Sequence, residues 1–82
     1  MLTDNDIHTE IDRLIAREDS LRAALTGQPL LAEAEQGELR RLGDSLDQAW
    51  DLLRQRQARR DAGMDPDSAR VRPVAEVEDY LG

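Results

Sequence analysis

Eighty-two residues form one small domain with no Cys, and so no disulfide and no thiolate zinc site to brace it. The net charge of −7 sets the chain against nucleic acid and anionic membranes at long range. No apolar run approaches the roughly 20 residues of a membrane span, and the N-terminus is acidic and polar rather than basic and then apolar, so the expected address is the cytoplasm.

The charge is unevenly spread. Residues 1–38 carry nine acids against three Arg, residues 39–72 carry six acids against eight Arg, and residues 73–82 carry three acids alone. Every basic residue is Arg, and the only aromatics are Trp50 and Tyr80. A core built from Leu, Ile, Val and Ala is the vocabulary of helix packing, which sets the fold class as all-α.

Thr3 is an N-cap residue, with Asp4 and Asp6 placed where acids meet the positive end of a helix. Ile7, Ile11, Leu14, Leu21 and Leu25 follow at steps of three and four, a heptad-like, coiled-coil stripe in which Glu18 fills the one polar position. Helix 1 therefore runs over about residues 4–26. Gly27 is expected as the left-handed residue that closes it, and Pro29 blocks continuation. Glu18 either pairs with Arg40 or Arg41 or lies at the rim of the seam.

A second stripe, Leu39, Leu42, Leu46, Ala49, Trp50 and Leu53, predicts helix 2 over about residues 30–62. Gly43 beside this seam either weakens the helix or lets another helix come close. The short connection makes the two helices antiparallel neighbours, with Leu14 opposite Leu42, Ile11 opposite Leu46 and Ile7 opposite Ala49 and Trp50. Helix 2 is then expected to overshoot its partner by two or three turns, carrying Arg54–Arg60 beyond it. Gly63 ends the helix, Asp65-Pro66-Asp67 reads as a cap followed by Pro at the first helical position, and Val71-Arg72-Pro73 is extended. A linker over 63–73 leads to a short helix over 74–81, with Val74, Val77, Tyr80 and Leu81 on one face.

Two helices with one seam each leave Ile15, Trp50, Leu52, Val74, Val77 and Leu81 without a place in it. The expected architecture is a long antiparallel helical hairpin plus a short C-terminal helix, assembled as a homodimeric four-helix bundle; the competing arrangement is a monomer with its tail folded back.

The stretch Asp47-Gln48, Trp50-Asp51-Leu52-Leu53-Arg54-Gln55-Arg56, Ala58-Arg59-Arg60, with Gly63, Asp65-Pro66-Asp67, Val71-Arg72-Pro73, Val77-Glu78 and Tyr80-Leu81, resembles a family of small, uncharacterised, chiefly actinobacterial proteins. The likeness is close from Leu39 to Leu81 and loose before it, where helix 2 opens as Pro29-Leu30-Leu31-Ala32-Glu33 rather than with the family's Ser/Thr cap. It implies no activity and no site residues.

The foremost functional reading is a non-enzymatic protein–protein interaction module. Its candidate contacts are Trp50, Arg54, Arg56, Arg59, Arg60, Arg72 and Tyr80, and its partner, besides a second copy, is an acidic protein; Trp50 is first expected in the core or the dimer seam, with an interface anchor as its other reading. The Arg cluster also has a structural reading, as a partner for the acids of helix 1 and of the tail. The alternative function is a nucleic-acid-associated or transcription accessory protein working through Arg54–Arg60, Arg70 and Arg72, but the overall charge and the lack of interleaved aromatics oppose it. Asp47, Asp51 and Arg54 or Gln55 are expected to form a surface ladder along helix 2. Asp47 and Asp51 lack a third ligand for a metal, His8 is the only His and reads as solvated surface, and no phosphate loop or nucleophile motif occurs, so neither a cofactor nor an enzymatic activity is expected.

Overall fold

The structure, a computed structural model, describes residues 2–27 and 32–81, with the side chains of residues 32 and 78–81 outside that description. Its elements are α1 (Asp4–Gly27), α2 (Ala32–Asp61), a single 3-10 turn (Pro66–Ser68) and α3 (Val74–Leu81). No strand occurs among the described residues, and no described helix is long and apolar enough to cross a membrane.

Helix α1 starts where its cap chemistry dictates. The Thr3 hydroxyl accepts from the Asp6 backbone N–H at 3.1 Å, and the Asp6 carboxylate accepts from the Thr3 N–H at 2.9 Å. This reciprocal arrangement satisfies two donors that a helix end otherwise leaves open. Gly27 departs from expectation: it remains helical, and Gly63 is the one described glycine with positive φ. The expected turn over Gln28–Leu31 lies outside the described residues, as does the exact start of α2.

At the far end of α2, Gly63 has φ of 73°. The Met64 N–H donates to the Arg59 carbonyl at 2.7 Å and the Gly63 N–H to the Arg60 carbonyl at 3.1 Å, the paired pattern of a glycine-closed helix. The Asp65 carboxylate then caps the 3-10 turn through the Asp67 N–H at 2.9 Å.

The apolar stripes meet as their spacing requires. Ile7, Ile11 and Leu14 of α1 pack with Leu46 and Leu52 of α2 and with Ala69 of the linker, with Leu42, Ala49 and Leu53 partly buried against them. Leu52 was expected outside the seam. It is buried because the linker folds across that side of α2 and supplies Ala69 as a lid. Val77, also without a seam position, is completely buried where α3 packs on α2. The tail thus lies on its own hairpin, with α2 as the central element touching α1, the 3-10 turn and α3.

The result is a thin, long body measuring 51 × 25 × 16 Å between Cα extremes. Its smallest Cα extent, 16 Å, is about that of two packed helices, since the Cα cylinder of one helix is roughly 5 Å across and packed axes lie about 8–10 Å apart.

Candidate functional site

Two sides of α2 carry the chemistry. Gln48, Asp51 and Gln55 are spaced at i, i+3 and i+7, so they share one stripe on the side turned away from α1. The tail is bonded to all three. The Gln48 amide donates to the Arg72 carbonyl at 3.1 Å, and the Gln55 amide donates to the Arg70 carbonyl at 2.7 Å. The Arg70 N–H returns a bond to the Gln55 side-chain oxygen at 3.4 Å. Asp51 sits between them with no exposed surface, gripped by both arms of the Arg72 guanidinium: Nε donates to one carboxylate oxygen at 2.9 Å and Nη2 to the other. Gln55 donates to it at 2.8 Å.

Of the surface ladder expected of Asp47, Asp51 and Arg54 or Gln55, the Asp51–Gln55 step forms, but it is not at the surface. Asp51 is the most enclosed charge of the described residues because the linker returns over it, and Arg54 reaches its oxygen only at 3.8 Å. The Arg72 guanidinium is the main cause holding the Asp51 carboxyl below its ordinary value; burial opposes it and the Gln55 amide adds to it.

Arg56 makes a second fastening. Its side chain is 8% exposed, with Nε on Asp4 at 2.6 Å and Nη1 on Asp67 at 2.9 Å. It thereby ties the start of α1, α2 and the 3-10 turn to one guanidinium. Arg60 reaches the other Asp4 oxygen at 2.9 Å. The bond to Arg56 is the leading cause of the lowered Asp4 pKa; burial opposes it and Arg60 assists. The expected overshoot of the Arg segment past helix 1 is therefore smaller in effect than the count of residues implied. Helical side chains lean toward the N-terminus of their own helix, and in an antiparallel pair that direction carries Arg56 and Arg60 back to the level of Asp4. The exposed pair Arg72–Glu76 adds a tail acid to the network, whereas Glu18 pairs with Arg22 on its own helix rather than with Arg40 or Arg41.

The other side of α2 is bare. Trp50 is 44% exposed, its ring edge-on to His8 with centroids 6.2 Å apart and planes at 77°. Asp4, His8, Trp50, Leu53, Arg54 and Gln57 line a shallow depression there. Ile15, two turns beyond His8 on the same stripe of α1, is exposed. Gly43 stands two turns before Trp50, and nothing lies within 4 Å of where its Cβ would be. On the opposite face of the layer an apolar groove has Ile7, Leu14 and Leu52 as its floor and the exposed Leu2 and Val71 as its walls.

The candidate contact residues therefore separate. Arg56 is enclosed and Arg72 half-buried in the fastening of the tail, and Arg60 is tied to Asp4 at its edge. Arg59 is half-buried, with its Nε enclosed and unbonded. Trp50 and Arg54 remain together on the open face. Tyr80 lies on α3, its side chain outside the described residues. Sequence reasoning missed Gln48, Gln55 and Asp51 as anchors for the tail. Their spacing sets them on one stripe, but nothing in that stripe marks the tail as their partner.

The uncharacterised proteins Rv0898c of Mycobacterium tuberculosis and Mb0922c of Mycobacterium bovis are each 48% identical to this chain over 80 residues, covering 98% of it and 92% of their own length. No solved structure matches. The residues that carry the earlier resemblance include the ones that fasten the tail: Gln48, Asp51, Gln55, Arg56, Asp67 and Arg72. The family described as a protein of unknown function (DUF2630) matches residues 3–82, and the chain belongs to it.

Proposed function

We propose that this domain is a non-enzymatic protein–protein interaction module of the cytoplasm, and that its contact surface is the open face of α2 around Trp50. The observation that carries this reading is the placement of the single indole. A Trp that could fill a core is instead nearly half exposed, set beside Leu53 and Arg54 of α2 and against the His8 ring of α1. Trp and Arg are the side chains most enriched among residues that dominate binding energy, because each combines a large apolar area with directed hydrogen bonding. The fastening on the other side of α2 holds that face rigid, which lowers the entropy cost of association.

The alternative, a nucleic-acid role for Arg54–Arg60, draws less support. Arg56 and Arg60 are both bonded to Asp4, so the cluster offers fewer charges to phosphate than its sequence density suggests. The test is a photo-crosslinking phenylalanine analogue at position 50 in the native cell, with the exposed position 16 as control. The expected result is protein adducts from position 50 and none from position 16. Equal yields from both positions, or nucleic acid as the adduct, would sink the reading.

A further inference from the structure

Two numbers show that one copy is too spread out for its mass. Its accessible surface is 5674 Å², against about 5,000 Å² for an ordinary folded chain of 9.3 kDa, an excess of roughly 700 Å². Its radius of gyration is 15.2 Å, against about 12 Å for a compact domain of this length. A standard interface covers about 800 Å² on each partner, close to that excess.

The open face is shaped for this. Along it run the exposed Ile15 and Trp50 with the half-buried Leu53, and at Gly43, itself half-buried, nothing lies within 4 Å of a Cβ placed there. A glycine inside a 30-residue helix weakens that helix, and no described neighbour requires the missing Cβ. Its use is close approach by another helix. The opposite groove fits less well as a self-interface, because the cross-helix pair Arg17–Glu38 and the pair Arg13–Glu10 are exposed charges that stacking would strip of water.

We infer that a second copy of this chain packs on the open face of the first, with Gly43 as the point of closest helix approach and Trp50 buried in the seam. This rests on the interaction reading above and names its partner. An interface of this kind is isologous: each copy offers the same stripe.

The test uses the full chain in analytical ultracentrifugation and light scattering at micromolar concentration. Wild type is expected at twice the 9.3 kDa chain mass. Gly43→Leu places a large side chain at the closest approach and should raise the dissociation constant about tenfold to a hundredfold. The single chain tolerates it, since Leu is the better helix former and the space before it is open. Gly43→Ala should weaken association less, and circular dichroism with a thermal melt confirms that each variant is folded. Val71→Asp, on the wall of the opposite groove, should leave the mass at two chains. A wild-type mass of one chain overturns the inference, as does a dimer indifferent to Gly43→Leu or broken by Val71→Asp. If the mass is that of one chain while position 50 still crosslinks to a different protein, the self-association fails and the interaction reading stands.

Discussion

The two sides of α2 differ in what they do with polarity. On the side facing the tail, Gln48, Asp51, Gln55 and Arg56 are bonded to residues 66–72, and a carboxylate is carried into complete burial with a guanidinium wrapped on it. On the open side, a large aromatic makes an edge contact to His8, and nothing among the described residues lies within 4 Å of where a Cβ on Gly43 would be. The first side resembles a core made of charge, where each group depends on one other. The second resembles the surface of a core that has been cut. A residue's worth to the single chain should therefore depend on which side it occupies, and the following substitutions examine that division.

The largest effect belongs to Arg72→Ala. It leaves Asp51 ionised and enclosed without its main partner, and the loss should be about 3–5 kcal/mol in urea unfolding. Replacing Asp51 and Arg72 together by apolar residues should recover much of it, because the cost lies in the stranded charge rather than in the lost attraction.

Acid should act on the same side. Asp51 and Asp4 both have folded-state pKa values below the ordinary 3.8. The stability they contribute is present above the unfolded value and is lost as pH falls through the folded one. Urea midpoints should hold from neutrality to mildly acidic pH and fall as pH drops below about 4. The Arg72→Ala variant should show a smaller acid loss, since its Asp51 no longer has a depressed pKa to lose.

Gly63→Ala comes next. It forces a Cβ into the left-handed region and should cost about 1–2 kcal/mol in thermal or urea unfolding. On the bare side the sign reverses: Gly43→Ala should stabilise the chain by about 0.5–1 kcal/mol at dilutions where it is single. Removing an exposed pair, as in Arg13→Ala, should shift stability by less than about 0.5 kcal/mol.

What sequence revealed follows the same division. Thr3, Gly63 and Asp65-Pro66 act through near neighbours, so the ends of α1, α2 and the 3-10 turn were legible from spacing alone. The α1–α2 seam was legible because apolar periodicity has one reading on a helix. The fastening of the tail was not. Its partners are 10 to 24 positions apart, Arg56 with Pro66 at one limit and Gln48 with Arg72 at the other, across a linker with no periodic signal. Helical spacing placed Asp51 on the back of α2, where nothing local reveals that Arg72 returns to cover it. Gly27 misled for a related reason: glycine permits a left-handed helix end but does not compel one.

The glycine-closed end of α2 also bears on the order of assembly. Once Gly63 turns the chain, the bonds from α2 to residues 66–72 close short loops, and so does the Arg17–Glu38 pair between α1 and α2, at a separation of 21 positions, whereas the start of α1 joins through Asp4 at separations of 52 and 56. Loops of a dozen or two close at less entropic cost than loops of fifty. The fastening of the tail and the part of the hairpin around Arg17 should consequently form first, and the start of α1 should dock last. Amide protons of the first turns of α1 would then be the last to gain protection during refolding and the first to exchange.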